Sequence, residues 1–164
     1  MVDYLAFVLT SFLDWNKRRA IYYKLRLMKA HIGRGVSLGS QCIFNIEQES
    51  FRVGDFSYLN GAHIVSASYA KVIIGNNCAI GYRVSIKSTT HLMDKYWPCE
   101  NSPPKMGGKD IIIGDRVWIG DGVFIKSGVI IGNDVIIGAN SVVTRDIPDG
   151  KIYAGIPARE IQNG

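Results

Sequence analysis

A six-residue repeat between Ile113 and Pro148 constrains the fold more than any other feature of the chain. The first position of each repeat is aliphatic, and the fifth is nearly always small or β-branched. A period of six fits neither an α-helix nor a coiled coil, so no helix would keep these residues on one side. Residues two apart in a β-strand do share a side. The repeat therefore predicts short strands with these inward residues: Ile113, Ile119, Ile125, Ile131, Ile137 and Val143, with Val117, Val123, Val129, Val135, Ser141 and Ile147.

The other positions of the repeat predict how the strands are joined. The second to fourth positions are rich in Gly, Asp and Asn, which favour turns. A strand and a corner in every repeat are typical of a parallel β-helix, and three repeats close one triangular coil. Earlier coils start at 32, 53 and 74 and carry a three-residue insertion each. Together they predict a prism of about five coils, about 24 Å tall. The expected inward first positions of the earlier coils are Ile32, Leu38, Phe44, Val53, Leu59, Val65, Ile74, Ile80 and Ile86.

The predicted fold class is an all-β solenoid with a helical cap and one long excursion loop. Residues 1–31 form the N-terminal helical segment, 32–148 the β-helix and 149–164 a C-terminal tail. A loop rich in Pro and Gly, residues 92–110, is inserted into the β-helix and interrupts its register. In the helical segment, the helical spacing of three apolar residues predicts a buried stripe: Ile21, Leu25 and Met28.

The N-terminal helix has two candidate roles. The apolar stretch Tyr4–Leu13 has ten residues, whereas a span of the bilayer core needs roughly 20. A signal peptide would have positive charge before this stretch, but Asp3 stands there, and Lys17, Arg18 and Arg19 follow it. We expect the helix to cap the open end of the coil, because solenoid ends need a cap. Peripheral contact with a membrane surface is the alternative.

Composition sets broad limits on partners and compartment. The net charge of +5 over 164 residues fits either solubility or an anionic ligand. No basic run with interleaved aromatic residues predicts a nucleic-acid partner. Cys42 and Cys78 occupy inward positions and Cys99 lies in the loop, which favours a reducing compartment. We therefore expect a cytoplasmic protein, with peripheral location at the inner face of the membrane as the alternative.

Three motifs carry a resemblance to a known family. They are V-W-I-G at 117–120, V-V-T-R-D-I-P at 142–148 and A-G-I-P-A-R at 154–159. With the repeats, they make residues 53–161 resemble the hexapeptide-repeat acyltransferases, in the sugar O-acetyltransferase group of galactoside, maltose and capsule or O-antigen acetyltransferases. The resemblance implies a left-handed parallel β-helix, a homotrimer with sites between subunits, and acetyl-CoA as co-substrate.

The resemblance implies that His91 is the general base. This histidine closes the frame I-K-S-T-T-H at an outward position, just before the long loop. An imidazole there would take the proton of a hydroxyl as that oxygen attacks the thioester carbonyl. An incidental histidine at the loop edge is the alternative. His63, at an inward fifth position, and His31, at the helix–coil junction, are expected to be structural.

Two further residues are implied on the acceptor side. Asn60 falls where relatives carry an asparagine that bonds the acceptor sugar, although a turn asparagine explains it equally well. Trp118 is implied to lie beside the catalytic histidine and the thioester, and packing between subunits is its other explanation. The group that orients His91 is left open between Asp94 and a backbone carbonyl.

The resemblance also implies the coenzyme A contacts. The backbone N–H of Asp121 would contact the cofactor or the developing oxyanion, which does not depend on the side chain. Ala139 corresponds to the small residue along which pantetheine lies. Arginine side chains suit phosphate groups, although solvated surface charge is their alternative explanation. The implied cofactor-binding residues are Trp118, Asp121, Ala139, Thr144, Arg145 and Arg159.

These observations predict an acetyl-CoA-dependent O-acetyltransferase acting on a sugar hydroxyl in a surface polysaccharide or its precursor. Transfer would be direct, because no cysteine occupies a motif position suited to a nucleophile. Two acyltransfer alternatives remain: a streptogramin-type antibiotic O-acetyltransferase and a nucleotide-amino-sugar N-acetyltransferase. A zinc-dependent β-helix carbonic anhydrase would need three histidines at one metal, and we expect no metal. A non-enzymatic β-helix scaffold is the remaining class.

Overall fold

The computed structural model describes residues 2–92 and 105–161. One long helix, α1 (Val2–Leu27), precedes a parallel β-solenoid of three faces. The first face stacks five short strands in register: β1 (His31–Ile32), β4 (Phe51–Val53), β6 (Val72–Ile74), β10 (Ile111–Ile113) and β13 (Ile130–Ile131).

The second and third faces share two long strands, β5 (Tyr58–Ser66) and β7 (Ala79–Lys87), which turn the corner between them. The second face adds β2 (Ser37–Leu38), β11 (Trp118–Ile119), β14 (Ile136–Ile137) and β16 (Ile152–Gly155). The third face adds β3 (Ile43–Ile46), β12 (Phe124–Ile125) and β15 (Val142–Val143). The predicted parallel β-helix of about five coils is thereby confirmed.

The inward residues predicted from the regular repeats do form the core. Each predicted first and fifth position from 113 to 147 has at most 2% of its surface exposed. Stacked coils therefore bury one continuous aliphatic column, which is the main stabilising contact of a solenoid. Cys42 and Cys78 lie in the same core, as predicted from their positions.

One part of the predicted register is wrong. Ile64, not Val65, is the inward residue of the second coil, and it pairs with Phe44 and Ile86. The cause is a shift in strand pairing between Gly61 and His63. This irregularity also turns His63 outward, where the sequence predicts an inward position.

Polar side chains form a ladder at the corner between the first and second faces. Each side chain accepts the backbone N–H of the corner residue in the preceding coil, at donor–acceptor distances of 2.7–2.9 Å. The residue that follows takes a left-handed conformation in successive coils, as at Asn77 (φ 54°) and Asp134 (φ 56°). The prediction that Asp and Asn supply the corners is confirmed at the ladder residues Asp55, Asn76, Asp115, Asn133 and Asp149.

The end of α1 covers the first coil. Leu25 is fully buried, and Ile21 and Met28 pack against the same core, so the predicted stripe is confirmed. The Tyr22 hydroxyl donates a hydrogen bond to the Val36 carbonyl at 2.9 Å, which attaches the helix to the solenoid. Within residues 2–92 and 105–161, no helix is long and apolar enough to cross a bilayer.

Leu25→Ala is expected to destabilise the folded protein by about 2–5 kcal/mol, because it leaves a cavity under the cap. Leu27→Ala is the matched control, since 54% of the Leu27 surface is exposed. Urea denaturation followed by circular dichroism measures both. Equal midpoints for the two variants would mean that α1 does not close the core.

The long loop leaves the solenoid through a two-stranded antiparallel ribbon of β8 (Thr89–His91) and β9 (Met106–Gly108). Ser88 anchors its base by donating its hydroxyl to the Ala70 carbonyl at 2.6 Å. Most of the predicted loop, residues 93–104, lies outside the described residues. The predicted tail 149–164 begins with β16, which pairs in register with β14, and β17 (Ala158–Glu160) then folds back on β16.

Candidate functional site

His91 lies at the end of β8, opposite Met106 in the ribbon, and its side chain is exposed. Beside it is an open cavity of about 390 Å³ between the ribbon and the third face. Two lysines line the cavity in successive coils, because Ile86 pairs with Ile125 and each is followed by a lysine, Lys87 and Lys126. The cavity therefore places a histidine, two cations and the hydroxyl groups of the ribbon around one space.

Trp118 lies on the second face, away from this cavity lining. Its ring points outward between the buried Val117 and Ile119, and 57% of its surface is exposed. Its column on the sheet includes Ala79 below and Ile136 above. Within one chain, Trp118 and the His91 cavity therefore belong to different faces of the prism.

Asn60, Asp121 and Ala139 lie along the corner between the second and third faces, in the second, fourth and fifth coils. The strand register that aligns Leu59, Ile80, Ile119 and Ile137 puts Asn60 one step before the level of Asp121 and Ala139. Asp121 and Ala139 are exposed, and Asn60 is half-buried. The Asp121 carboxylate accepts the backbone N–H of Tyr82 at 2.9 Å, so this side chain joins two coils.

The other predicted cofactor-binding residues lie in two places. Thr144 and Arg145 follow β15 on the third face, and the hydrogen bond from Lys126 N to Val143 O (3.0 Å) puts Thr144 directly above Lys126. Arg159 lies in β17, and its guanidinium donates to the Ala158 carbonyl at 2.9 Å. All three side chains are exposed.

Lys87 and Lys126 are cavity residues that the sequence reasoning missed. The sequence pattern does predict their orientation, since each lysine follows a predicted inward isoleucine and so faces outward. The outward position of His63 was also missed, because the repeat pattern does not show the shifted register of β5. It lies 3.1 Å from the Asn45 amide, and partial burial, with the charge of Lys87, lowers the pKa of His63.

The remaining titratable candidates do not form a second reactive centre among the described residues. Burial raises the pKa of both the Cys42 and the Cys78 thiols, which makes each a poor nucleophile. His31, His63 and His91 lie on the first face, the third face and the ribbon, and residues 2–92 and 105–161 contain no grouping of three potential metal ligands. The predicted candidates Asp94 and Cys99 lie outside the described residues.

Known proteins share both the repeats and the fold. Residues 110–145 match the bacterial transferase hexapeptide (six repeats) family, and residues 71–92 match the hexapeptide repeat of succinyl-transferase. The chain is 35% identical over 136 residues to a putative lipopolysaccharide biosynthesis O-acetyl transferase, WbbJ, of Escherichia coli K12. That match covers 79% of this chain and 62% of the relative, so the chain spans less than two thirds of the relative's length.

Two solved structures extend the comparison. A galactoside acetyltransferase in complex with coenzyme A is 30% identical, with a TM-score of 0.66 over 87% of this chain and 70% of that one. A hexapeptide-repeat acetyltransferase from Vibrio cholerae, complexed with acetyl coenzyme A, is 27% identical, with a TM-score of 0.61 over 82% of this chain and 67% of that one. By its repeats, its fold and these relatives, the chain belongs to the hexapeptide-repeat acetyltransferases.

Proposed function

We propose that this protein is an acetyl-CoA-dependent O-acetyltransferase in which His91 is the general base. The observation that carries the proposal is the exposed imidazole at the mouth of a cavity that is large enough for part of a sugar. The ribbon fixes the backbone of His91 by pairing the strands on the two sides of the loop. A catalytic base needs such a fixed position within reach of the reacting hydroxyl.

The proposed reaction is a direct transfer. The His91 imidazole accepts the proton of an acceptor hydroxyl as that oxygen attacks the thioester carbonyl. The tetrahedral intermediate carries its negative charge on the former carbonyl oxygen, and the Asp121 backbone N–H is the proposed donor to it. The C–S bond then breaks, and the coenzyme A sulfur takes the proton from His91. No acyl-enzyme forms, and the high pKa of the two buried thiols supports this route.

The proposed active unit is a homotrimer with its sites between subunits. The position of Trp118 on a different face from the His91 cavity supports this assembly, because a neighbouring copy would be needed to bring them together. Cyclic assembly with the same contact at each interface gives three equivalent clefts. In each cleft, one subunit contributes His91 and its neighbour contributes Trp118 and the corner of Asn60, Asp121 and Ala139.

The proposed acceptor is a sugar hydroxyl in a surface polysaccharide or its precursor. The E. coli relative is described as an O-acetyl transferase of lipopolysaccharide biosynthesis, and a solved neighbour as a galactoside acetyltransferase. An acetyl-CoA consumption assay against free sugars, nucleotide sugars, amino sugars and polysaccharides tests the acceptor class. Acetylation of amino sugars alone would replace the O-acetyltransferase proposal with the N-acetyltransferase alternative.

Ala139→Tyr is expected to raise the Kd for coenzyme A by at least about tenfold, because a large side chain would fill the proposed pantetheine path. The corner itself accepts this residue, since Tyr82 occupies the equivalent position two coils below. Calorimetry with coenzyme A measures the effect, and Ala20→Tyr on the exposed part of α1 is the matched control. An unchanged Kd in Ala139→Tyr would remove this corner from the cofactor path.

A further inference from the structure

The two halves of α1 have different surroundings. The last turns of the helix pack Ile21 and Leu25 onto the solenoid, whereas every residue from 6 to 20 is exposed. Counting back from Leu25 and Ile21 in steps of three or four residues reaches Arg18, Asp14 and Thr10. Apart from Phe7, the side of the helix that faces its own solenoid is therefore polar in the exposed half.

The apolar residues of the exposed half gather on the opposite side. Val8, Phe12 and Trp15 follow helical spacing, and Leu9 and Leu13 widen the same side. Each has 45–57% of its surface exposed, so the rest of residues 2–92 and 105–161 leaves this surface uncovered. The apolar surface of α1, residues 8, 9, 12, 13 and 15, is therefore a candidate docking surface.

Cations and aromatic rings meet at the end of this surface. The rings of Phe12 and Trp15 stack with centroids 6.2 Å apart, and the Arg19 guanidinium lies 4.6 Å from the centre of the Trp15 ring. Lys17 and Arg18 stand next to them in the chain. Tryptophan with adjacent cations is the arrangement that favours the headgroup region of a bilayer, where one side of the ring is apolar and the other is wet.

We propose that the apolar surface of α1 docks the protein on an anionic lipid bilayer, with Lys17 and Arg19, one turn after Leu13 and Trp15, at the headgroups. The apolar surface from Val8 to Trp15 is about 12 Å long as a helix, too short to cross a bilayer but suited to lie in its interface. The same surface on a second copy is a poorer partner, because parallel packing would bring two identical cation clusters together. An anionic bilayer supplies both the apolar depth and the opposite charge.

The cavity beside His91 lies next to a second cavity that reaches α1. A second cavity, of about 350 Å³, is lined by Lys24 of α1 and shares Val65, Thr89 and Met106 with the His91 cavity. The two spaces are therefore neighbours on the same side of the first coils. Docking itself depends only on α1, so its test is independent of the proposed reaction.

Co-sedimentation of the full chain with vesicles tests the proposal. Vesicles of phosphatidylcholine alone are compared with vesicles in which part of it is replaced by phosphatidylglycerol. The wild-type chain is expected to bind the anionic vesicles at least about tenfold more tightly. The double variant F12N/W15N is expected to lose at least about tenfold in affinity, and K17Q/R19Q to lose the preference for the anionic vesicles.

Tyr69→Asn is the matched control, because Tyr69 is an aromatic side chain on the solenoid with 53% of its surface exposed. It is expected to bind as the wild type does. Sedimentation of the wild type and of F12N/W15N without vesicles measures the oligomer mass, which tests whether a second copy of the chain covers this surface instead. If F12N/W15N lowers the oligomer mass, or if it binds vesicles as well as Tyr69→Asn does, the bilayer is not the partner of α1.

Discussion

His91→Ala is expected to lower the turnover number by at least about 100-fold, the lower edge for loss of a general base. The affinity for acetyl-CoA and the mass of the oligomer should stay unchanged, because His91 is exposed and lies outside the core. Steady-state kinetics on the best acceptor of the sugar panel, with calorimetry for the cofactor, measures both parts.

His63→Ala is the matched control for this prediction. His63 is also an outward histidine, but it lies on the third face beside Asn45 and does not line the His91 cavity. Its replacement is expected to leave the turnover number within a few-fold of the wild type, the range of an indirect effect. Near wild-type turnover in His91→Ala, or an equal loss in both variants, would remove His91 from the role of base.

Mixing two impaired variants is expected to restore activity if each site is shared between subunits. Trp118→Ala should lower turnover by at least about tenfold, because the proposed role of this ring is to position the thioester. In trimers of equal parts His91→Ala and Trp118→Ala, about a quarter of the clefts would pair an intact His91 with an intact Trp118. The restored activity should therefore approach about a quarter of the wild-type value.

The mixing experiment has an internal control. His91→Ala mixed with the double variant H91A/W118A contains no intact His91 and should remain inactive. Mass measurement of the mixed oligomers verifies that subunits have exchanged. Exchange without restored activity would mean that both residues serve a site within one chain, which the separation of their faces argues against.

The regular half of the solenoid could be predicted almost completely from sequence. Its inward positions follow from periodicity alone, because each coil from Ile113 repeats the same strand and corner. The inward positions of the second coil could not be predicted in this way. A shift of one residue in the pairing of β5 exchanges the residues that face inward with those that face outward. Nothing in the composition around Gly61 or His63 distinguishes that irregularity from a normal corner.

The individual residues of the candidate site could be predicted from the sequence, but their positions relative to one another could not. Motifs indicated His91, Trp118 and Ala139 individually, whereas only the strand register assigns them to different faces. The cavity lysines needed the same three-dimensional register, because Lys87 and Lys126 are 39 positions apart in sequence yet adjacent across β7 and β12. Short sequence motifs therefore indicate which residues are candidates, whereas the pairing of strands distant in sequence decides which of them lie close together.

The two ends of the loop excursion are held together independently of what lies between them. Lys109 donates its backbone N–H to the Ser88 carbonyl at 3.2 Å, and the Ser127 hydroxyl donates to the same oxygen at 2.6 Å. Loop-closure entropy grows only slowly with length, so insertions between two fixed ends cost little stability. Replacing the residues between these two ends with the loop of a relative is therefore expected to leave the solenoid folded.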